Sequence, residues 1–523
     1  MTGDFSASDL RQLEQLGISA AEAERQLDLL LNPPPSIRLD RPCRIGDGIR
    51  RLEASQYPER IELFESAARR GRLSRLVPAS GAASRMFKSL LPFLNDAGEP
   101  GRKELERRVG RGGRSAADLL TLVDQIDRFA FSGALDRAAQ RRGQSLSQLV
   151  REEAYVMLCR LLLTDAGLNY AELPKALIEF HRYPEGARTA LEEQLVEASA
   201  TTVDAGRISR NHFTVAPGFE SRFGAELEPI QSRQARLGVE LRIGLSTQDR
   251  CSDTLAIGPD RRPFRLDDGT LLLRPAGHGA LIENLGALGG DLVFLKNIDN
   301  ILPERLQAAP VRWKKILCGT LLDLERRIHG WIRRLEPSDL AIAPLAPCFD
   351  FLAAELGSAA PAALRGAPAE RQRAFLLERL RRPLRVCGVV PNQGEPGGGP
   401  FWVQGPDQRL TLQIVERTQV DAQSEAQRQI WSAATHFNPV DMVCSLRDPE
   451  GIAYDLRRFM DPRAVLVAKK SHQGRELLAL ERPGLWNGAM ADWNTVFVEV
   501  PAETFAPVKT VFDLLRPEHQ SEA

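Results

Sequence analysis

Leu292 to Leu295 are four consecutive apolar residues that close on a polar cluster ending in Asp299 and Asn300. The run predicts a buried strand with a polar end. Ahead of it, Ala280, Leu281, Leu285 and Leu288 recur at helical spacing, and Gly277-His278-Gly279 forms a loop before that helix. Strand, glycine loop, helix, strand and Asp-Asn make the pattern of a βαβ unit. In open α/β sheets the ligand lies beyond the carboxyl ends of the strands, where Asp299 and Asn300 fall. Gly277 and Gly279 would let backbone approach a base or phosphate where a Cβ would clash.

The same reading extends along the chain. Residues 1–72 read as helical: Ser19 and Glu22 make a capping box, Asn32-Pro33-Pro34-Pro35 stops that helix, and a second helix covers 58–70. Leu73 to Val77 is a short strand, Pro78 to Ser84 a small-residue turn, and a helix carrying Arg85 and Lys88 on one face is expected to follow. A loop of this kind at a helix N-terminus favours phosphate, although an ordinary tight βα turn has the same pattern. It lacks the GK[ST] ending of a P-loop. Residues 101–172 read as a helical insertion, with interleaved acidic residues marking its arginines as solvated faces.

Strands are expected again at ALIEFHRYP from 176, at 211–217 and at 239–248. His181 and His212 lie at such segments as structural hydrogen-bonders more readily than as catalysts. Residues 186–198 read as an amphipathic helix. Residues 303–383 read as helical with a break near 343–348. Beyond Pro383 the pattern gives strands at LRVCGVV, 411–421 and 496–500. The stretch 392–403 reads as a glycine-rich loop, and 435–444 and 485–501, the latter around the strand at 496–500, read as turns. The expected architecture is α/β: a mixed, mainly parallel sheet with helices on both faces. The expected partition is 1–72 helical, 73–384 the α/β domain with its insertion, and 385–523 completing the sheet and site.

Composition narrows this only a little. The 523 residues are 43% hydrophobic and 26% charged, as in a soluble globular protein. Formal net charge is zero, which gives no global field for nucleic acid or a membrane. The first thirty residues carry no signal-peptide pattern, and no apolar run is long enough to span a bilayer. Seven scattered Cys without a CxxC pair argue against a disulfide framework or zinc site and fit a reducing cytoplasm.

Four segments, in order, resemble one family. LVPASGAASRMFK resembles the nucleotide loop of sugar nucleotidyltransferases, and RPAGHGALIENL the Pro-x-Gly-His-Gly loop of UDP-glucose pyrophosphorylases. LVFLKNIDN resembles their strand ending in Asn-x-Asp-Asn, and ETFAPVKTVFDLL their Phe-x-Pro-Val-Lys segment. GVVPNQGEP and QIVE resemble paired strands ahead of that lysine. The whole chain also resembles a bacterial family of unknown function that carries these motifs. The resemblance implies a nucleotide-diphospho-sugar transferase-like, Rossmann-like fold. It implies transfer of a nucleotidyl group from a nucleoside triphosphate to a sugar 1-phosphate, with Mg²⁺.

By the same resemblance Asp299 holds the metal with Asn300 in support. Ala79, Ser80, Gly81 and Ala82 cradle the triphosphate, Gly277, His278 and Gly279 meet the nucleoside, and Arg85, Lys88 and Lys509 act on the phosphates. The chain departs from the family in several places. Ala79 and Ser80 stand where the loop usually has paired glycines, Lys88 follows Arg85 by only three residues, Ala280 stands where Asp is usual, and no hexapeptide-repeat tail is expected after Leu515. Two other readings share these residues: a protein that binds a nucleotide or sugar nucleotide without turnover, and a glycosyltransferase using Asp299 to hold a metal.

Overall fold

Side chains that alternate along each strand are sorted onto two differently packed faces of one sheet. Leu292 and Phe294 pack with Phe64, Leu317 and Leu321 on one face. Val293 and Leu295 pack with Leu281, Ile282 and Leu285 on the other. The architecture is that of a computed structural model, which describes residues 5–96, 98–336, 345–364, 366–394 and 397–521. The expected break at 343–348 and the loop at 392–403 fall partly outside the described residues.

The large sheet contains, in chain order, β1 (Arg44–Ile45), β2 (Gly48–Arg50), β3 (Leu73–Pro78), β4 (Ile208–Val215), β5 (Glu240–Thr247), β6 (Leu292–Lys296), β7 (Leu384–Pro391), β8 (Asp441–Ser445) and β9 (Asn494–Glu499). Across the sheet they run β1-β2-β9-β7-β8-β6-β3-β4-β5, and His436–Phe437 adds a short pairing to β7. Along this path β8 runs against its neighbours β6 and β7. The other pairings along this path are parallel. The expected mixed, mainly parallel sheet with helices on both faces is present.

Several local expectations need correction. The stretch 39–50 holds short strands rather than helix: Leu39–Pro42 pairs with Gly399–Gln404 in a separate three-stranded sheet, and Ile49 pairs with Phe497, extending the large sheet past β9. β8 begins inside the stretch 435–444 read as a turn and ends just beyond it; all five of its residues are buried, so it shows no alternation. Leu273–Arg274, ahead of the glycine loop, pairs with Thr254–Ile257 in a separate four-stranded sheet with Leu466–His472 and Arg475–Glu481. Pro275 follows at once and has no N–H to extend a ladder. The strand, loop and helix there are therefore not a crossover within one sheet. Glu179–Tyr183 likewise forms a hairpin with Gly186–Thr189 off the main sheet.

The helical insertion leaves and re-enters the sheet at one place. Ala83 N–H donates to the Leu173 carbonyl at 2.8 Å and Lys175 N–H to the Gly81 carbonyl at 2.9 Å. Helices Arg102–Gly110, Arg114–Asp124, Ser132–Gln140, Leu146–Arg151 and Tyr155–Leu163 lie between. They bury their own apolar core against Val77, Phe213 and Val215.

Where the sheet meets the helices Ala190–Thr201 and Ala308–Leu335, the core becomes ionic. Arg75 of β3, Lys296 of β6 and Lys314 surround the Glu197 carboxylate, and Lys314 also pairs with Asp441. Burial would raise Glu197, but Lys296, Lys314 and Arg75 outweigh it and hold the carboxyl well below its ordinary value. Arg75 also donates to Gln194, whose amide nitrogen donates to the carbonyls of Asn297 at 3.0 Å and Ile298 at 3.2 Å. The network thus fixes the turn that carries Asp299. Removing one partner of a buried ion pair leaves uncompensated charge and costs about 3–5 kcal/mol. Glu197→Gln should lose stability of that order in urea unfolding. A loss below about 1 kcal/mol, the range of exposed pairs, would contradict this account.

Candidate functional site

Asp299 follows β6 and is almost completely buried, with 7% of its surface exposed. Two ammonium groups from distant parts of the chain share its carboxylate. Lys175 Nζ lies 2.8 Å from Oδ2, and Lys509 Nζ lies 3.1 and 3.0 Å from Oδ1 and Oδ2. Burial would push the Asp299 carboxyl up; Lys509 and Lys175 reverse this and hold it below its ordinary value.

Backbone bonds join the segments that carry these groups. Val508 N–H donates to the Asp299 carbonyl at 2.9 Å, Val511 N–H to the Met86 carbonyl at 3.1 Å, and Lys175 Nζ reaches the Val508 carbonyl at 3.1 Å. Asn300 Oδ1 accepts from Ala506 N–H at 3.1 Å, while its buried Nδ2 has no hydrogen-bond partner among the described residues. The loop after β3, the return of the insertion, the Asp-Asn turn and the Lys509 segment are therefore one hydrogen-bonded unit.

Lys175 was not among the residues singled out from sequence. Its signal is positional: the two ends of an insertion must meet, so the residues that resume the sheet pattern after 172 belong beside the loop at 79–85. The helical insertion between them hides that adjacency from any spacing argument.

The loop itself differs from expectation. Ala79 is buried, and its N–H donates to the Thr214 carbonyl at 2.8 Å, so it extends the sheet ladder. Ser80, Gly81 and Ala82 are exposed. A Cβ at Gly81 would meet nothing within 4 Å, so packing does not require glycine there. No α-helix follows: Ala83–Arg85 is a single 3-10 turn and Leu91–Asn95 another. The expected helix N-terminus is replaced because Ala83 N–H and the Met86 carbonyl are used by Leu173 and Val511. Arg85 and Lys88 are exposed and have no ion pair among the described residues.

The glycine-His loop lies at the start of the helix Leu281–Ala287, which leads back to the beginning of β6. His278 and Asp299 thus bracket one helix–strand unit in the chain. No hydrogen bond or ion pair joins the two among the described residues. His278 stacks on Trp486 with ring centres 4.2 Å apart, and its Nδ1 accepts from Leu485 N–H at 3.0 Å. Burial lowers its pKa against the pull of Glu416 and Glu481. The neutral ring then carries its proton on Nε2, leaving a donor available. Gly277 has φ +77°, and a Cβ at Gly279 would lie 2.2 Å from the Pro483 carbonyl, so both glycines serve this packing. His181, bound between Glu193 and His519, and His212, bound to Ser246, lie outside the Asp299 unit.

The donor set can be tested against Mg²⁺. Among the described residues no group of three His, Cys, Asp or Glu could hold a metal. Mg²⁺ needs only one or two carboxylates when substrate phosphates supply further oxygens. Asp299 meets that requirement only with a polyanion present to draw the two ammonium groups away.

A family model described as "Domain of unknown function (DUF4301)" matches residues 6–520. The chain belongs to that family. No curated protein matches it by sequence. Among solved structures, a UDP-glucose pyrophosphorylase from Leishmania major is 13% identical, with a TM-score of 0.46 over 99% of this chain and 80% of that one. A uridine diphosphate N-acetylglucosamine pyrophosphorylase from Trypanosoma brucei is 11% identical, with a TM-score of 0.46 over 98% and 80%. A Trypanosoma brucei protein titled UDP-glucose phosphorylase is 12% identical, with a TM-score of 0.43 over 98% and 80%. No helix of the described residues is long and apolar enough to cross a membrane.

The Asp299 arrangement has a consequence for acid stability. A carboxyl with a folded pKa below its unfolded value of about 3.9 contributes stability above that value and loses it as pH falls through the folded one. Asp299→Asn removes this titration. In urea unfolding between about pH 5 and pH 2, the variant's stability should fall less steeply, by up to about 1.4 kcal/mol per pH unit. Equal slopes would show that the lysines do not depress Asp299.

Proposed function

We propose that the chain is a nucleotidyltransferase that joins a nucleoside triphosphate to a sugar 1-phosphate and releases pyrophosphate. The observation that carries the proposal is the pair of ammonium groups, Lys175 and Lys509, converging on Asp299 beside the exposed Ser80-Gly81-Ala82 loop. Like charges are brought together where one carboxylate holds them, and the exposed cations Arg85 and Lys88 lie on the segment whose Met86 carbonyl accepts from Val511 N–H. A polyphosphate supplies more negative charge than that carboxylate. The order of the four sequence motifs supports the same reading.

In this reaction a phosphate oxygen of the sugar 1-phosphate attacks the α-phosphorus of the triphosphate. The bond to the bridging oxygen of the β-phosphate breaks, and pyrophosphate leaves with the electron pair. The attacking oxygen is already anionic near neutral pH, so the protein needs no general base. Its task is alignment of two polyanions and neutralisation of developing charge. Ser80, Gly81, Ala82, Arg85 and Lys88 would take the triphosphate. Lys175 and Lys509 are compact point charges suited to the phosphates at the reacting centre. His278 would offer its Nε2–H to the nucleoside or its α-phosphate. Asp299 would hold Mg²⁺, supported by Asn300, and the ion would supply further neutralisation of the phosphates.

The test is a pyrophosphate-release screen of nucleoside triphosphates against a panel of sugar 1-phosphates with Mg²⁺. Wild type should turn over at least one pair. Removal of one electrostatic donor costs a factor of roughly 10² to 10³ in turnover, so Lys509→Ala and Lys175→Ala should each fall by about that much. Lys509→Arg should recover only part, because a planar fork replaces a compact ammonium. Nucleotide binding by a wild type that turns over no pair would overturn catalysis and leave the binding-only reading.

A further inference from the structure

At the amino-terminal edge of the sheet, Arg382 comes just before β7 and Asp492 just before β9. Both line a cavity of about 370 Å³ with Arg379, Arg409, Arg463 and Thr411 among its walls. The Asp299 site follows the carboxyl end of β6, so the two lie at opposite edges.

Three of the four arginines have carboxylates of their own. Arg382 binds Glu378 at 2.6 Å and Asp492 at 3.3 Å, Arg409 binds Asp407 at 2.5 Å, and Arg463 binds Asp461 at 3.3 Å. Arg379 is left over. Its side chain is 8% exposed, and its nearest carboxylate oxygen, on Glu378, is 3.9 Å away and already engaged by Arg382. No side-chain hydrogen bond from its guanidinium is found among the described residues, and Nε is fully enclosed without a partner. Burial, with Arg382 and Arg409 nearby, pushes its pKa down to about 10.

What holds Arg379 in place is the Phe375 ring, 5.4 Å from its guanidinium carbon, with Arg409 over the same ring at 5.9 Å. Stacking of a cation on an aromatic ring offsets only part of the cost of burying it. A buried guanidinium with unused donors, a second guanidinium beside it and the Thr411 hydroxyl together match a tetrahedral oxyanion. A guanidinium presents paired N–H donors that fit two phosphate oxygens. The cavity also leaves room for a substituent on that phosphate. We propose that this cavity binds a phosphate group, as the free ion or as a small phosphate ester, through Arg379, with Arg409 and Thr411 as further donors. This site is separate from the one proposed for catalysis and does not depend on it.

The experiment is isothermal titration at fixed ionic strength with inorganic phosphate and, separately, glucose 6-phosphate. Proteins tested are wild type, Arg379→Met, Arg379→Lys and Lys509→Ala. A hydrogen bond to a charged group carries enough free energy that Arg379→Met should weaken binding by about tenfold to a hundredfold. Arg379→Lys keeps the charge without the fork and should fall in between. Lys509→Ala removes any phosphate held at the Asp299 site and should retain the binding component that Arg379→Met loses. Tighter binding of inorganic phosphate identifies the free ion as the ligand, and tighter binding of glucose 6-phosphate an ester. Thermal melts in phosphate-free buffer check folding: Arg379→Met should melt no lower than wild type, because an unpaired buried charge has been removed. Failure of wild type to bind either probe at millimolar concentration would overturn the proposal. So would unchanged affinity in Arg379→Met, binding lost in Lys509→Ala alone, or a large drop in the Arg379→Met melting temperature without phosphate.

Discussion

Two ammonium groups that would repel each other are held on one buried carboxylate, and the surrounding chain is arranged around that triad. Lys175 arrives after the helical insertion, Lys509 near the end of the chain and Asp299 from the centre of the sheet. A carboxylate in this position neutralises the pair while no larger anion is present. The same attraction keeps both lysines extended toward one point, which lowers the cost of ordering them when a polyphosphate arrives. The lowered Asp299 carboxyl is the electrostatic sign of that arrangement.

Behind the triad a second, fully enclosed set of charges fixes the backbone. Lys296 is three residues ahead of Asp299, and its partner Glu197 also receives Arg75 and Lys314. Gln194 extends the network to the carbonyls of Asn297 and Ile298. Buried pairs of this kind contribute little net stability but specify geometry when every partner is present. The turn is therefore set from beneath by the network and from the side by Val508, whose N–H meets the Asp299 carbonyl.

The strands at 73–78, 208–215, 240–247, 292–296 and 384–391 were legible because their apolar runs end at polar turns. Asp299 and Lys509, which the family resemblance put in one site, lie against each other. β8 was not legible: Asn438-Pro439 announces a turn, and a central strand buried on both faces has no polar alternation to reveal it. The helix expected after Ser84 failed for a different reason. Local propensity allowed it, but Val511 took the Met86 carbonyl that a helix would have used, and Leu173 took the Ala83 N–H that would have been free at its start. Lys175 was hidden by topology, since the groups its ammonium meets, Asp299 and Val508, are far away in sequence. The glycines of the His278 loop were legible as special positions, and Gly279 is also required by its close packing on the Pro483 carbonyl.

Amide hydrogen exchange with and without a nucleoside triphosphate tests the central claim most directly, because it reports which backbone segments a ligand covers whether or not turnover follows. Bound nucleotide should slow exchange together in the loop at 80–88, at 173–177, at 297–300 and at 506–511, the four segments joined around Asp299. Saturating nucleotide that protects other parts of the chain and leaves these four unchanged would contradict the account.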